Sequence, residues 1–434
     1  MRRFGLLFLA ILLCSIPSAT RAEESYTLDL SEIEKKPYSF AGYVEARPAL
    51  YGLDSSSAFY RLRYFDDPKR QILGEANGRV RLEGSYEKSL FRVFARLNTD
   101  LQYNDSAHAS ERTTFYEAYA SAKPADFFKI DVGKKTLKWG KGYAWNPVAF
   151  ADRPKDPDDP EQAMEGYIVA TADIIRSFDG PLKTVSFSPV LFPVYDHINS
   201  NFGQNNTLNA AGRLYFLFYD TDIDVMFMTG GGRPDRYGFD FSRNLTTNFE
   251  IHGEYAWIRN NRKTVLNAAG AARTVEGEAH SFLFGLRYLT SFDLTAIVEF
   301  YSTSAGFHRD EMKNFYSLIS RGFDAYTKTG DLAGLARSIQ LAESGYARPN
   351  AMRNYLYARL SQKEPFDILY FTPSLTCMVN TDDFSANILP EILYTGITNL
   401  ELRLRGGILI GGRNTEFGEK QNVWRLELRA GYYF

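Results

Sequence analysis

Residues that could perform acid–base or nucleophilic chemistry are few and scattered in this sequence. Asp310 stands two residues after His308, the nearest approach to the paired Asp and His of a hydrolase. A solvated loop explains that pair more simply, and neither a Gly-x-Ser-x-Gly motif nor a phosphate-binding loop appears. The five histidines are never at metal-ligand spacing, and Cys377 is the one cysteine after residue 22. We therefore expect no enzyme, no metal site and no cofactor.

Arginines and carboxylates instead recur at every second position of several segments, where they could select ions. Because arginine keeps its charge, a ring of arginines would favour anions. The alternative is a self-neutralising ladder of cross-strand ion pairs, and the small surplus of positive charge indicates only a leaning to anions. The candidate pore-lining residues are Arg79, Arg81, Arg92, Arg96, Arg403, Arg405, Arg425, Arg429, Glu83 and Glu427.

Apolar and polar residues alternate through almost the whole chain, which is typical of strands with two different faces. Many of these segments run ~10 residues or more, the length that a tilted strand needs to cross a membrane. Strands of soluble proteins average only ~5–6 residues. Rows of charged side chains would be costly in a dry core, but they suit a watered lumen whose wall turns its apolar face to lipid. The pattern predicts an all-β fold, a transmembrane antiparallel β-barrel.

Short and long connections between these segments alternate, as in membrane barrels with short periplasmic turns and longer external loops. Eight short and nine long connections require 18 strands. The segment 57–65 is either an extra strand or part of the first loop, so we predict 16–18 strands. Long connections are expected near 260–279 and 304–350. The barrel, 38–434, leaves no room for a separate domain.

The first 22 residues have the features of a cleaved signal peptide: a basic head, a short apolar run over 6–16, and Ala22 at the cleavage position. The apolar run is shorter than the ~20 residues of a membrane-spanning helix. Residues 23–37 then form a short periplasmic segment. The net charge is −2, or −5 without the leader, so the basic surplus of a nucleic-acid-binding protein is missing.

The last segment resembles the C-terminal signature of bacterial outer-membrane proteins. Apolar residues alternate from Trp424 to Tyr432, and the sequence ends in Phe434. The resemblance implies that Tyr432 and Phe434 belong to the signal for the barrel assembly machinery, and that the barrel crosses the outer membrane of a Gram-negative cell. More generally, the chain resembles porins in its architecture. Porins are often homotrimers, although no strand is visibly apolar on both faces.

The segment 138–163 is, by our count, the third external loop, and in general porins that loop folds inward to narrow the channel. Trp139, Tyr143 and Trp145 could pack against the wall, while an acidic stretch sets a local negative field. The acids could also bind Ca²⁺, but no glycine-centred Ca²⁺ loop is present, which favours an exposed acidic loop. The acidic residues are Asp156, Asp158, Asp159 and Glu161.

The segment 305–350 differs from the rest because its apolar residues recur at helical spacing. Asp331 suits a helix N-cap, and Gly345 suits a helix end. We expect one or two helices that cap the mouth or enter the lumen. A docking surface for an extracellular partner is the alternative.

A local resemblance to porin-like proteins lies in the segments Phe40–Pro48, FAGYVEARP, and Gly133–Lys141, GKKTLKWGK. Some porin-like proteins are sheaths around multihaem cytochromes, but this sequence has no Cys-x-x-Cys-His motif, so a haem would have to come from a partner. We expect a porin that passes small hydrophilic solutes. The alternatives are such a sheath with a cytochrome partner, and a substrate-specific outer-membrane transporter.

Overall fold

Eighteen antiparallel strands close on themselves, because β1 pairs with β2 on one side and with β18 on the other. The computed structural model describes residues 36–67, 69–105 and 109–434, and the barrel is the unit Tyr38–Phe434. The predicted signal peptide 1–22 and nearly all of the segment 23–37 lie outside the described residues. The predicted all-β barrel is confirmed, with the strand count at the upper end of the expected range.

Successive strands are hydrogen-bonded neighbours around the barrel. In chain order they are β1 Tyr38–Leu53, β2 Ile72–Lys88, β3 Phe91–Asn104, β4 Ala109–Ala125, β5 Phe128–Lys135, β6 Tyr167–Ser177, β7 Leu182–Val194, β8 Thr207–Phe218, β9 Thr221–Thr229, β10 Arg236–Thr246, β11 Phe249–Leu266, β12 Ala272–Leu289, β13 Leu294–Thr303, β14 Asn354–Gln362, β15 Phe371–Asn380, β16 Ala386–Ile397, β17 Leu400–Ile410 and β18 Asn422–Tyr433.

The distribution of side chains is the reverse of that in a soluble protein. On β18, Leu426 and Leu428 point outward and are 47% exposed, whereas carboxylates such as Glu254 and Glu299 are buried inside the barrel. Since side chains alternate between the two faces of a strand, the alternation seen in the sequence produces these two environments directly. An apolar outer wall suits lipid, and a charged interior suits water.

One end of the barrel carries short turns and the other carries long loops, here called the turn end and the loop end. The β8–β9 turn consists of Tyr219 and Asp220, both with positive φ (47° and 56°), the conformation that matches the twist of a hairpin. The prediction of a long loop near 260–279 is wrong. The β11 and β12 strands continue through it and leave only a short connection, 267–271.

The nine loops are L1 to L9 in chain order, and three helices lie in two of them. The segment 57–65 holds the short helix α1, Ala58–Arg63, so it is part of L1 (54–71) rather than a strand. L7 (304–353) holds α2, Arg309–Thr329, and α3, Ala333–Leu341, as the helical spacing predicted. No helix in the described ranges is long and apolar enough to cross a membrane.

The second helix of L7 begins close to the predicted N-cap Asp331, and it ends at Leu341, before the predicted stop at Gly345. The α2 helix ends at Gly330 in the left-handed conformation (φ 74°), and the Asp331 carboxylate accepts the backbone N–H of Ala333 at the start of α3. Gly345 lies in the distorted turn that follows α3, with φ 126°. These helices pack with α1 and the end of β11 at the loop end.

Candidate functional site

The loop L3 (136–166) enters the barrel, and a buried carboxylate of β11 holds its backbone there. Glu254 Oε1 accepts the N–H groups of Lys141 and Gly142, each at 2.6 Å, and its Oε2 accepts that of Val148 at 3.2 Å. Hydrogen bonds to a charged group are the strong ones, and three of them compensate for the burial of one charge. A side chain at Gly142 would meet the carbonyl oxygen of Trp145 at 2.2 Å, so this turn needs glycine.

A second wall carboxylate repeats this arrangement one short step further along L3. Glu299 on β13 accepts the N–H of Tyr143 with one oxygen and that of Ala144 with the other, the latter at 2.8 Å. The Nε2 atom of His252 lies 2.8 Å from the same carboxylate. Glu254 and Glu299 thus act on adjacent peptide groups of L3, and they fix its path across the β11–β13 wall.

Apolar side chains of L3 fill part of the lumen. Trp139 and the segment 148–151 belong to a buried cluster with wall residues of β7 to β9 such as Phe192 and Met226. Trp145 stacks on Tyr301 of β13, with ring centroids 5.1 Å apart and planes 17° apart. The Tyr143 hydroxyl donates to Glu161 at 2.9 Å. The three aromatic residues singled out in the sequence all lie against the wall or within L3 itself.

The acidic residues of L3, here called the tip (156–161), reach the opposite wall. Asp159 accepts a hydrogen bond from Arg429 at 3.0 Å and lies 3.5 Å from Arg405. Asp158 accepts from Asn387 at 2.9 Å and lies 3.2 Å from Arg425. L3 therefore crosses the lumen from the β11–β13 wall to the β16–β18 wall.

The electrostatic environment differs between neighbouring acids of the tip. Burial opposes the charge on Asp159, but Arg405 and Arg429 hold the pKa of this carboxyl below its usual range. At Asp156, burial and repulsion from Asp158 raise the pKa above its usual range. The expectation of an exposed acidic loop is wrong for Asp159, which is buried between two wall arginines, and Asp158 is half-buried, whereas Asp156 and Glu161 are exposed.

The predicted lining arginines point inward, and seven of the eight have a carboxylate oxygen within 4.0 Å. Arg92 is the exception among the described ion pairs, and its guanidinium lies 5.8 Å from the ring centroid of Phe94. The cross-strand ladder that the sequence left as an alternative is therefore present. Its cross-strand pairs are Arg79–Asp100 (2.5 Å), Arg96–Glu83 and Arg96–Glu117 (2.8 Å each) and Arg405–Glu391 (2.6 Å). Three further pairs lie within one strand, Arg81–Glu83 (4.0 Å), Arg403–Glu401 (3.2 Å) and Arg429–Glu427 (3.1 Å), and Arg425–Asp158 (3.2 Å) joins the wall to L3.

Two cavities border L3. The inner cavity, of about 360 Å³, lies against the β2–β4 wall, and its charged lining residues are Arg81, Arg96, Glu117, Lys138, Lys155 and Glu161. The outer cavity, of about 250 Å³, lies towards the loop end between the tip, L9 (411–421) and the β15–β18 wall. L3 contributes residues to both cavities, so it divides the lumen.

The loop end above the β11–β15 wall is filled by a buried apolar cluster. Residues of α2 such as Phe315 and Ile319 pack there with Trp145 of L3 and Phe417 of L9. Glu416 of L9 is 1% exposed and accepts the Ala351 N–H at 2.7 Å and the Tyr355 hydroxyl at 2.6 Å. These contacts join L7 and L9.

The carboxylates that hold the loops were not predicted from the sequence: they are Glu254, Glu299, Glu391 and Glu416. Parity along the strand does place Glu254 on the inward face, between Gly253 and Tyr255. Its partners, however, lie more than 100 residues away along the chain, and no local pattern indicates such a distance. Within the described ranges, no group of His, Cys, Asp and Glu side chains is arranged to hold a metal ion.

No family model matches this chain, and no curated protein matches it. Solved structures do. OccAB1 of Acinetobacter baumannii is similar over 91% of this chain and 96% of its own, at 9% identity and a TM-score of 0.51. OccK2 (OpdF) of Pseudomonas aeruginosa in complex with glucuronate covers 92% and 98%, at 10% identity and a TM-score of 0.50. The P. aeruginosa outer membrane protein OpdK covers 91% and 99%, at 8% identity and a TM-score of 0.50. The resemblance to outer-membrane β-barrels is thus confirmed for the fold.

Proposed function

We propose that this protein forms a water-filled channel through the outer membrane of a Gram-negative cell and passes small hydrophilic solutes. The observation that carries the proposal is L3. A loop held by buried wall carboxylates at one side and by arginines at the other divides a charged lumen into two cavities. This arrangement suits a constriction that sets solute size and charge. Diffusion through such a constriction needs no catalytic group.

The proposed location rests on the outer wall and on the sequence of both ends. Residues 1–22 direct export as a signal peptide, and lipid covers the apolar outer wall. Tyr432 and Phe434 face outward and are 42% and 53% exposed, so the barrel assembly machinery could contact them before insertion. Phe434 also packs over Gly42 of β1, where a side chain would meet its ring at 2.1 Å.

A modest selectivity for anions follows from the positive charges that have no carboxylate partner, and not from the total number of arginines in the lumen. In the inner cavity, Lys138 and Lys155 have no carboxylate within 4.0 Å among the described ion pairs, whereas Arg96 is shared by Glu83 and Glu117. Lys155 also donates to the carbonyl oxygen of Tyr143 at 3.3 Å, which leaves Lys138 as the more exposed free charge. The glucuronate bound to OccK2 is an organic anion of the kind that such a cavity would admit.

The two alternative functions make different demands on the lumen. A sheath for a multihaem cytochrome would need the bore that L3 and its buried apolar cluster now occupy. A substrate-specific transporter would need a site with defined polar partners, and the outer cavity offers one. We therefore favour a channel, with selectivity for certain solutes as its refinement. A homotrimer stays a prediction.

The test is the single-channel conductance of refolded residues 23–434 in a planar bilayer under a salt gradient. We expect stable open steps and a reversal potential that indicates modest anion preference. In the variant Lys138→Gln, that preference should decrease while the conductance stays similar. Arg262→Gln, on the exposed β11–β12 hairpin, is the control that removes one charge outside the lumen. A correctly folded barrel with no open steps would contradict the proposed function.

A further inference from the structure

The outer cavity has the size of a solute-binding site. At about 30 Å³ per water molecule in the liquid, its ≈ 250 Å³ hold roughly eight waters or one small organic molecule. Its wall combines both signs of charge with a short apolar surface. The charged lining residues are Asp156, Asp158, Lys420 and Arg425, and the apolar ones include Met378, Leu409 and Phe417.

The positive side of the cavity has donors without acceptors. The Nε and Nη2 atoms of Arg425 are buried and make no hydrogen bond among the described residues. Asp158 lies 3.2 Å from Nη2, but out of line for a hydrogen bond. A buried donor without an acceptor costs free energy, and the planar fork of a guanidinium fits a carboxylate in two-point contact. Lys420 adds a second positive charge nearby.

Asp156 and Asn387 contribute acceptor oxygens that no cation contacts among the described residues. Asp156 accepts the N–H of Asp158 at 3.0 Å and has no cation within 4.0 Å among the described ion pairs. Asn387 is 4% exposed, and its Oδ1 atom is buried without a donor, although its amide nitrogen donates to Asp158. An ammonium group has three donors and no acceptor, so it would satisfy both oxygens.

We propose that the outer cavity binds a zwitterionic solute, with its ammonium group at Asp156 and Asn387 and its carboxylate at Arg425 and Lys420. The apolar side chains of Met378, Leu409 and Phe417 take the carbon chain between the two charged groups. This inference rests on the proposed function, because the channel is the route by which a solute reaches the cavity. A solute with one charge satisfies only one side and leaves the other unpaired.

The test compares three probes of similar length: 5-aminopentanoate, pentanoate and pentylammonium. Interruptions of the single-channel current by 5-aminopentanoate should last at least tenfold longer than those by either singly charged probe. Asp156→Asn and Arg425→Gln should each shorten them about tenfold. The matched controls are Glu276→Gln and Arg262→Gln, which remove the same charges from the exposed β11–β12 hairpin and should leave the interruptions unchanged.

Titration calorimetry of the folded barrel in detergent separates this inference from the proposed function. A barrel that conducts but shows equal interruptions with pentanoate or pentylammonium contains a site for one charge, and the zwitterion site is refuted. A barrel without open steps refutes the channel. In that case, the zwitterion site stands only if 5-aminopentanoate still binds at least tenfold more tightly than the singly charged probes, and it is refuted otherwise.

Discussion

Replacing Asp159 by Asn tests whether the contacts between the L3 tip and the β17–β18 wall hold the constriction closed. The substitution removes the charge that faces two arginines, but it keeps the size of the side chain. Arg429 donates to Asp159 at 3.0 Å, and Arg405 lies 3.5 Å away. If these contacts fix the tip, the variant should release it part of the time while the barrel wall stays intact.

The free energy lost in Asp159→Asn depends on the other carboxylates that Arg405 and Arg429 still contact. Removing one member of a buried ion pair costs 3–5 kcal/mol when the other charge is left alone. Here Arg405 keeps Glu391 at 2.6 Å, and Arg429 keeps Glu427 at 3.1 Å. The loss is then closer to one hydrogen bond to a charged group, about 2 kcal/mol. Since 1.4 kcal/mol is a factor of ten, the ratio of bound to released tip should fall about 30-fold.

Single-channel recording measures this ratio as the time spent at the lower conductance level divided by the time spent at a higher level. Asp159→Asn should lower that ratio about 30-fold, while thermal unfolding of the barrel changes little. Asp196→Asn, an exposed change of the same kind in L4 (195–206), is the matched control. If Asp159→Asn changes this ratio by less than twofold, the tip either does not move or does not border the solute path, and these contacts do not hold a constriction.

The pH dependence of the same contacts has a definite sign. Burial opposes the charge on Asp159, but Arg405 and Arg429 hold its pKa below the usual range. A lowered pKa in the folded state means that the contact is fully present above the ordinary carboxyl pKa of about 3.9 and is lost as the pH falls through the lowered value. The occupancy of the higher level should therefore stay constant between about pH 7 and about pH 4.

Three further predictions concern the same loop. Deletion of 146–161 removes the tip and should raise the conductance, and an unchanged conductance would exclude L3 as the constriction. Gly142→Ala places a methyl group 2.2 Å from the carbonyl oxygen of Trp145, so we expect a displaced L3 and a noisy open level in current recordings. Burial and Asp158 raise the pKa of Asp156, so calorimetry with pentylammonium, whose charge is constant over this range, should show that acidification weakens its binding at a higher pH than the one at which the Asp159 contacts fail.

The barrel itself could be predicted from the sequence because successive residues of each strand face lipid and water in turn. Lipid outside and water inside demand opposite side chains at alternate positions, and Leu426, Glu427 and Leu428 show this directly. The same dependence on alternation explains why a loop was predicted at 260–279, where β11 and β12 continue. Where this hairpin extends beyond the membrane, both faces meet water, and exposed pairs such as Arg262–Glu276 remove the alternation.

The path of L3 could be predicted only in part. Its aromatic and acidic residues indicated an inward loop, but the residues that hold it belong to distant strands. Glu254 contacts backbone N–H groups, and any residue except proline provides such a group. No pattern of side chains in the sequence therefore indicates that Glu254 binds the backbone of L3. Gly142 is the local residue that reflects the path of L3, since its turn leaves no space for a side chain.

The charges of the lumen have two different tasks, and only one of them bears on ion selectivity. Glu254 and Glu299 accept hydrogen bonds from the backbone of L3. Most wall arginines are neutralised by carboxylates of neighbouring strands or of the tip. Paired charges produce a weak field beyond their own contacts, so counting inward arginines overstates the preference for anions. Selectivity should instead follow Lys138 in the inner cavity, which has no carboxylate within 4.0 Å among the described ion pairs, and Asp156 with Arg425 in the outer cavity, where the Nε and Nη2 atoms of Arg425 lack a hydrogen-bond acceptor. Variants of these three residues should therefore change ion and solute preference more than variants of Arg79 or Arg96, although the latter carry the same full charge.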